Sequence, residues 1–169
     1  MKAESSLSGP ICGGATEAES AWILPNETIT LLVVEDSTFL RIAIERVFTR
    51  AGYRVLLARD GQEALRIARE AIPQLILLDM MLPKMTGPDV LKSIKGDVAT
   101  QHIPVVVLSA LPQKNEPKLI AAGAAAYFVK SDSILERNAG GLLQVVERLV
   151  GKPLETSGNG HTPALPTPV

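Results

Sequence analysis

The feature that most constrains this chain is an alternation repeated five times: a short apolar run, then a stretch whose apolar residues recur at helical spacing. Ile29–Val34, Arg54–Ala58, Leu75–Leu78, Pro104–Leu108 and Ala125–Val129 are the runs. The third and fourth are apolar at every position, which demands cover on both faces rather than one. Strands of that kind, separated by helices, belong in a parallel sheet with helices on either side. The expected architecture is therefore α/β: a doubly wound, five-stranded parallel sheet with five helices.

The punctuation agrees with this reading. Ser37 or Thr38 can cap a first helix bearing Leu40, Ala43, Ile44, Val47, Phe48 and Ala51, which Gly52 stops. Asp60-Gly61 opens a second, with Ala64, Leu65, Ala68 and Ile72 on one face and Pro73 ending it. Gly87-Pro88 starts a third with Val90, Leu91 and Ile94 inward. Pro112 and Pro117 confine the fourth to roughly 117–122, before Gly123. A loop or single turn over 131–138 precedes the last helix, which runs to about Val150 with Leu142, Val145, Val146 and Leu149 on its apolar face.

Composition sets the boundaries. The 169 residues, 46% hydrophobic and 21% charged, suit one domain with a proper core. Residues 1–27, rich in Ser, Gly, Ala and Glu, and 151–169, rich in Pro, Gly, Thr and Ser, lack periodicity and read as disordered tails around a domain at 28–150. Within the first tail, Ala21-Trp22-Ile23-Leu24-Pro25 is an apolar patch that could dock on the domain or on a partner, the domain itself being the favoured site. A net charge of −1 with mixed signs offers no basic stripe for phosphate backbones, so direct nucleic-acid binding is not expected. No apolar run approaches the roughly 18 residues of a membrane span. The single cysteine, Cys12, excludes an internal disulfide and suits a reducing, cytoplasmic setting.

The strand ends carry the chemistry. The first run ends on Glu35-Asp36, the third on Asp79, the fourth on Ser109-Ala110, and Lys130 follows the fifth. In an open parallel sheet these ends share one edge, where ligands collect. Three carboxylates gathered there repel one another unless a cation sits among them. A hard, oxygen-liganding Mg²⁺ meets that need. Lys130 offers a point charge and Ser109 a hydroxyl, both suited to phosphoryl oxygens, and Asp79 becomes a candidate nucleophile for an aspartyl phosphate.

These residues, with Pro83, Gly87 and the run Gly123-Ala124-x-x-Tyr127-x-x-Lys130, resemble the receiver domain of two-component response regulators, of the chemotaxis-regulator type and flavodoxin-like fold. The resemblance covers about 29–150. It implies that Asp79 is the phospho-acceptor, taking its phosphoryl group from a sensor histidine kinase or histidine phosphotransfer protein. It implies Asp36 as a direct Mg²⁺ ligand, Glu35 as one through water, and the backbone carbonyl of Met81 as a further ligand. Ser109 and Lys130 would bind phosphoryl oxygens, and Tyr127 would be an aromatic switch. The expected protein is a Mg²⁺-dependent phospho-acceptor rather than an enzyme, a single-domain regulator without an output domain, signalling through a downstream effector protein. Two departures accompany it. Lys130 precedes Ser131 where the family has proline, and the segment after Lys130 is long while the fourth helix is short.

Two other readings compete for the same residues. The domain could act as an interaction module independent of phosphorylation. A phosphohydrolase with an Asp nucleophile needs a second Asp two residues on, and that position holds Met81.

Overall fold

The computed structural model describes residues 28–110, 116–130 and 139–153. The expectations for the first tail, for residues 154–169 of the second, for the Trp22 patch, for the Lys130–Ser131 bond and for the segment that follows it lie outside those residues. The elements run β1 (Thr30–Val34), α1 (Thr38–Arg50), β2 (Arg54–Ala58), α2 (Gly61–Ala71), β3 (Leu75–Asp79), α3 (Gly87–Gly96), β4 (Val105–Ser109), α4 (Glu116–Ala121), β5 (Ala126–Val129) and α5 (Ala139–Val150). The five strands form one parallel sheet in the order β2-β1-β3-β4-β5. Such an order requires the chain to reverse its winding at β1, and this places β1 and β3 side by side at the switch point where ligands gather.

Strand alternation divides the core in two. Leu32, Val34, Ile76, Leu78, Val105 and Val107 face α2, α3 and α4, meeting Ala64, Ala68, Val90, Leu91, Ile94 and Leu119. Their neighbours Leu31, Val33, Leu75, Leu77, Val106 and Leu108 face α1 and α5, meeting Ile44, Phe48, Leu142 and Val146. Every residue of β3 and β4 is buried, which accounts for their unbroken apolar sequences.

The helix ends follow local chemistry. Ser37, Asp60 and Thr86 cap α1, α2 and α3 by accepting the backbone N–H of Leu40, Glu63 and Asp89. Gly52 and Gly123 stop α1 and α4 at φ of +89° and +102°. Each carries the paired closing hydrogen bonds of a left-handed cap, Tyr53 N–H to the Phe48 carbonyl and Ala124 N–H to that of Leu119. Pro117 is the second residue of α4, where no backbone donor is required. The hydroxyl of Tyr53 donates to the Gly151 carbonyl at 2.9 Å, tying the α1–β2 turn to the end of α5.

Two helical faces differ from expectation. Ile72 lies beyond α2, not on its buried face: it is the left-handed C-cap at φ +43°, and it is exposed. The approach to Pro73 disfavours a further helical residue, so the chain turns there. On α5, Leu149 is exposed while Leu143 and Val150 join Val145 against the core. The helix presents a different arc than four apolar residues suggested, because among the described residues it packs on α1 and the sheet. Among the described residues no helix is long and apolar enough to cross a membrane.

Beyond the core, Arg69 of α2 clasps Asp97 at the end of α3, with Nε to Oδ2 at 2.7 Å. That hydrogen bond, and one from the Ala99 N–H, hold the Asp97 carboxyl below its ordinary 3.8. A depressed carboxylate stabilises the fold above its unfolded pKa, and the contribution is lost as pH falls through the folded value. Asp97→Asn should therefore lower the urea midpoint at about pH 7 and leave it nearer to wild type at about pH 3, which paired denaturation curves will check.

Candidate functional site

At the carboxyl edge of the sheet, β1 and β3 deliver their acids into one pocket. Val34 registers with Leu78, so the residues that follow, Glu35 and Asp79, leave the sheet side by side. Glu35 is 1% exposed and Asp79 3% exposed, whereas Asp36 faces solvent. Carboxylate oxygens of Glu35, Asp36 and Asp79 lie within 4.8 Å of one another. Lys130 enters from the end of β5, where its backbone N–H donates to the Ser109 carbonyl at 2.7 Å. Its Nζ donates to Glu35 Oε2 at 2.6 Å and lies 2.9 Å from Asp79 Oδ1. Ser109 is buried at the tip of β4.

One ammonium group thus stands against a cluster of three acids. Burial pushes the Glu35 carboxyl above its ordinary 4.5, and the Asp79 charge adds to this, while the hydrogen bond from Lys130 opposes it. The donor set is all oxygen, with a combined charge that exceeds the one lysine. This is the composition that a hard divalent cation requires, and Mg²⁺ fits it.

The surrounding backbone is braced. Asp79 Oδ1 also accepts the Met81 N–H at 3.2 Å, and Met81 itself is 64% exposed at the mouth of the site. Arg41 donates through Nη1 to the Glu35 carbonyl at 2.8 Å and to that of Asp36 at 3.3 Å, fixing the turn that carries both acids. Sequence reasoning missed this residue. Its position one helical turn after Ser37 was the available signal, since a long side chain there points back over the N-terminus of α1.

Gly87 shows how tightly β3 is seated. A Cβ on Gly87 would lie 2.5 Å from the Asp79 carbonyl oxygen and 2.5 Å from Met80 Cα, and both are backbone atoms. The glycine is required by that approach, since nothing flexible can yield. Gly87→Ala should cost about 1–3 kcal/mol and displace Asp79, read as a lowered denaturation midpoint together with slower phosphoryl uptake.

The structure brings Glu35, Asp36, Asp79 and Lys130 into direct proximity, with Ser109 beside Lys130 on the adjoining strand end. Tyr127 lies on β5 two residues before Val129, the strand partner of Ser109, half-buried and packed against the core cluster that includes Leu119 of α4.

Known proteins are similar to this chain in sequence and fold. Residues 31–136 match the family model described as the response regulator receiver domain. The chain belongs to the response regulator receiver domain family. This receiver is 35% identical over 108 residues to the polar-differentiation response regulator DivK of Brucella ovis, a match spanning 63% of this chain and 88% of that protein. It is 37% identical over 117 residues to histidine kinase P4 of Formosa agariphila, spanning 68% of this chain but only 8% of the kinase. Among solved structures, it matches the receiver domain of sensor histidine kinase PA1611 from Pseudomonas aeruginosa PAO1 with a TM-score of 0.64 and 28% identity, covering 74% of this chain and 99% of that one. That receiver was crystallised with a magnesium ion coordinated in its active-site cleft. The domain is a phospho-accepting switch of two-component signalling rather than an enzyme.

Proposed function

We propose that Asp79 accepts the phosphoryl group from a phosphohistidine on a sensor histidine kinase or histidine phosphotransfer protein. A carboxylate oxygen of Asp79 forms the new bond to phosphorus. The P–N bond breaks, and the imidazole leaves with its electron pair and takes up a proton. The observation that carries this reading is the convergence of the three acids within 4.8 Å, with Lys130 Nζ at 2.6 and 2.9 Å from two of them. Glu35, Asp36, Asp79 and the backbone carbonyl of Met81 would hold Mg²⁺. When bound, the ion neutralises charge on the phosphoryl oxygens during transfer.

In this reading Lys130 and Ser109 move from their present partners to phosphoryl oxygens. Ser109 is the tip of β4 and Tyr127 lies on the neighbouring β5, so a shift of the hydroxyl toward phosphate changes the packing that Tyr127 shares with α4. Such a two-state element is what a downstream effector protein would distinguish. We place the domain in the cytoplasm, consistent with a chain whose one cysteine cannot form an internal disulfide. The test is chemical trapping: after exposure to a small acyl phosphate, borohydride reduction and peptide mapping should convert Asp79 alone to homoserine. Reduction at another acid, with Asp79 intact, would refute the assignment.

A further inference from the structure

One ion pair near the site has no part in the chemistry above. Lys84, in the loop between β3 and α3, places Nζ 2.8 Å from Asp60 Oδ2. Asp60 is only 6% exposed and is already anchored, because its Oδ1 caps α2 by accepting the Glu63 N–H at 2.9 Å. That hydrogen bond, followed by the one from Lys84, holds the Asp60 carboxyl below its ordinary 3.8, so the anchor is charged.

The lysine end is where the backbone is unusual. Lys84 adopts φ +67°, and the Met85 N–H donates to the Pro83 carbonyl at 2.8 Å, which closes a three-residue turn around it. A side chain with a Cβ is disfavoured in that region, where glycine would be at ease. Contacts outside the turn offset that cost. At its far end the loop is fixed by the Gly87 N–H to the Met80 carbonyl at 3.2 Å. At its apex the Lys84 side chain, 61% exposed, reaches across to Asp60, beside Leu82 and Met85, which pack on the core.

We infer that Lys84 and Asp60 are positioning residues: their ion pair locks the 83–85 turn against the capped end of α2, and so fixes the neighbouring Met81 carbonyl for a divalent cation. The inference rests on the Mg²⁺ reading of the site. Neither residue touches the acids. They act through the loop backbone, as supporting groups around a metal site commonly do.

The experiment uses the full chain. Asp60→Asn keeps the helix cap and removes the charge, Lys84→Gln removes the charge on the other side, and Lys84→Arg keeps the pair. Mg²⁺ is titrated by calorimetry without any phosphodonor, and amide exchange is followed over residues 80–86. Each of the two charge-removing variants should weaken Mg²⁺ binding about two- to fivefold, and their combination should be no weaker than the worse single. Loop amides should exchange faster in both. Lys84→Arg should bind as wild type does, and so should Arg66→Gln, which breaks the exposed Arg66–Glu70 pair on α2. Wild-type affinity in both single variants, or losses that multiply in the double, would overturn the inference alone. A wild-type chain that takes up no Mg²⁺ would overturn it together with the metal reading.

Discussion

Asp79→Asn should fold normally and take up less than about 1% of the wild-type phosphoryl load, because an amide is no nucleophile at this centre. Asn fills the same volume at the buried tip of β3, and its oxygen can still accept the Met81 N–H and the Lys130 ammonium. One attraction, to Lys130, is lost. One repulsion, from Glu35, is relieved in the same step. We expect the unfolding free energy to stay within about 1 kcal/mol of wild type, so loss of uptake cannot be ascribed to loss of fold. Intact mass after incubation with an acyl phosphate reads the first quantity, and a urea curve reads the second.

Lys130→Met should have the largest effect on stability, and its size should depend on Mg²⁺. Without the ammonium group, the buried carboxylates of Glu35 and Asp79 lose their shared counter-charge, and in chelator we expect a loss of about 2–4 kcal/mol. The cost is limited because Glu35, already pushed upward by burial, can take a proton. With saturating Mg²⁺ most of the loss should be recovered, since a dication serves the same acids that Lys130 serves. Removing a competing cation should also tighten Mg²⁺ binding, while phosphoryl transfer slows for want of a donor to the phosphoryl oxygens. Urea midpoints in chelator and in Mg²⁺ measure this. Equal midpoints for wild type and variant in chelator would mean that the Lys130 bridge carries no stability.

How much of this was legible in the sequence depended on range. The strands of the centre were readable because β3 and β4 are covered on both faces, and continuous burial leaves no choice of residue. Helix starts were readable because the caps are local: Asp60 bonds three residues ahead. The site was readable because topology turns strand ends into neighbours, so Glu35 and Lys130, 95 residues apart, could be brought together from pattern alone. Where an outcome depended on a single backbone angle, the pattern failed. Ile72 has the spacing of a buried residue but adopts a left-handed conformation before Pro73. Lys84 gave no sign of its positive φ or of its partner 24 residues away, because nothing in composition specifies which exposed lysine meets which acid. Arg41 was hidden for the opposite reason, being a common residue on a helix whose partners are backbone carbonyls.

The central claim is that the acids at the ends of β1 and β3 act together with a divalent cation to make Asp79 a phospho-acceptor. The most direct measurement is the phosphoryl content of the wild-type chain after exposure to a small acyl phosphate, by intact mass, in Mg²⁺ and in chelator. The account predicts a single added phosphoryl group in Mg²⁺ and none in chelator. Equal uptake under both conditions, or no uptake in Mg²⁺, would contradict it.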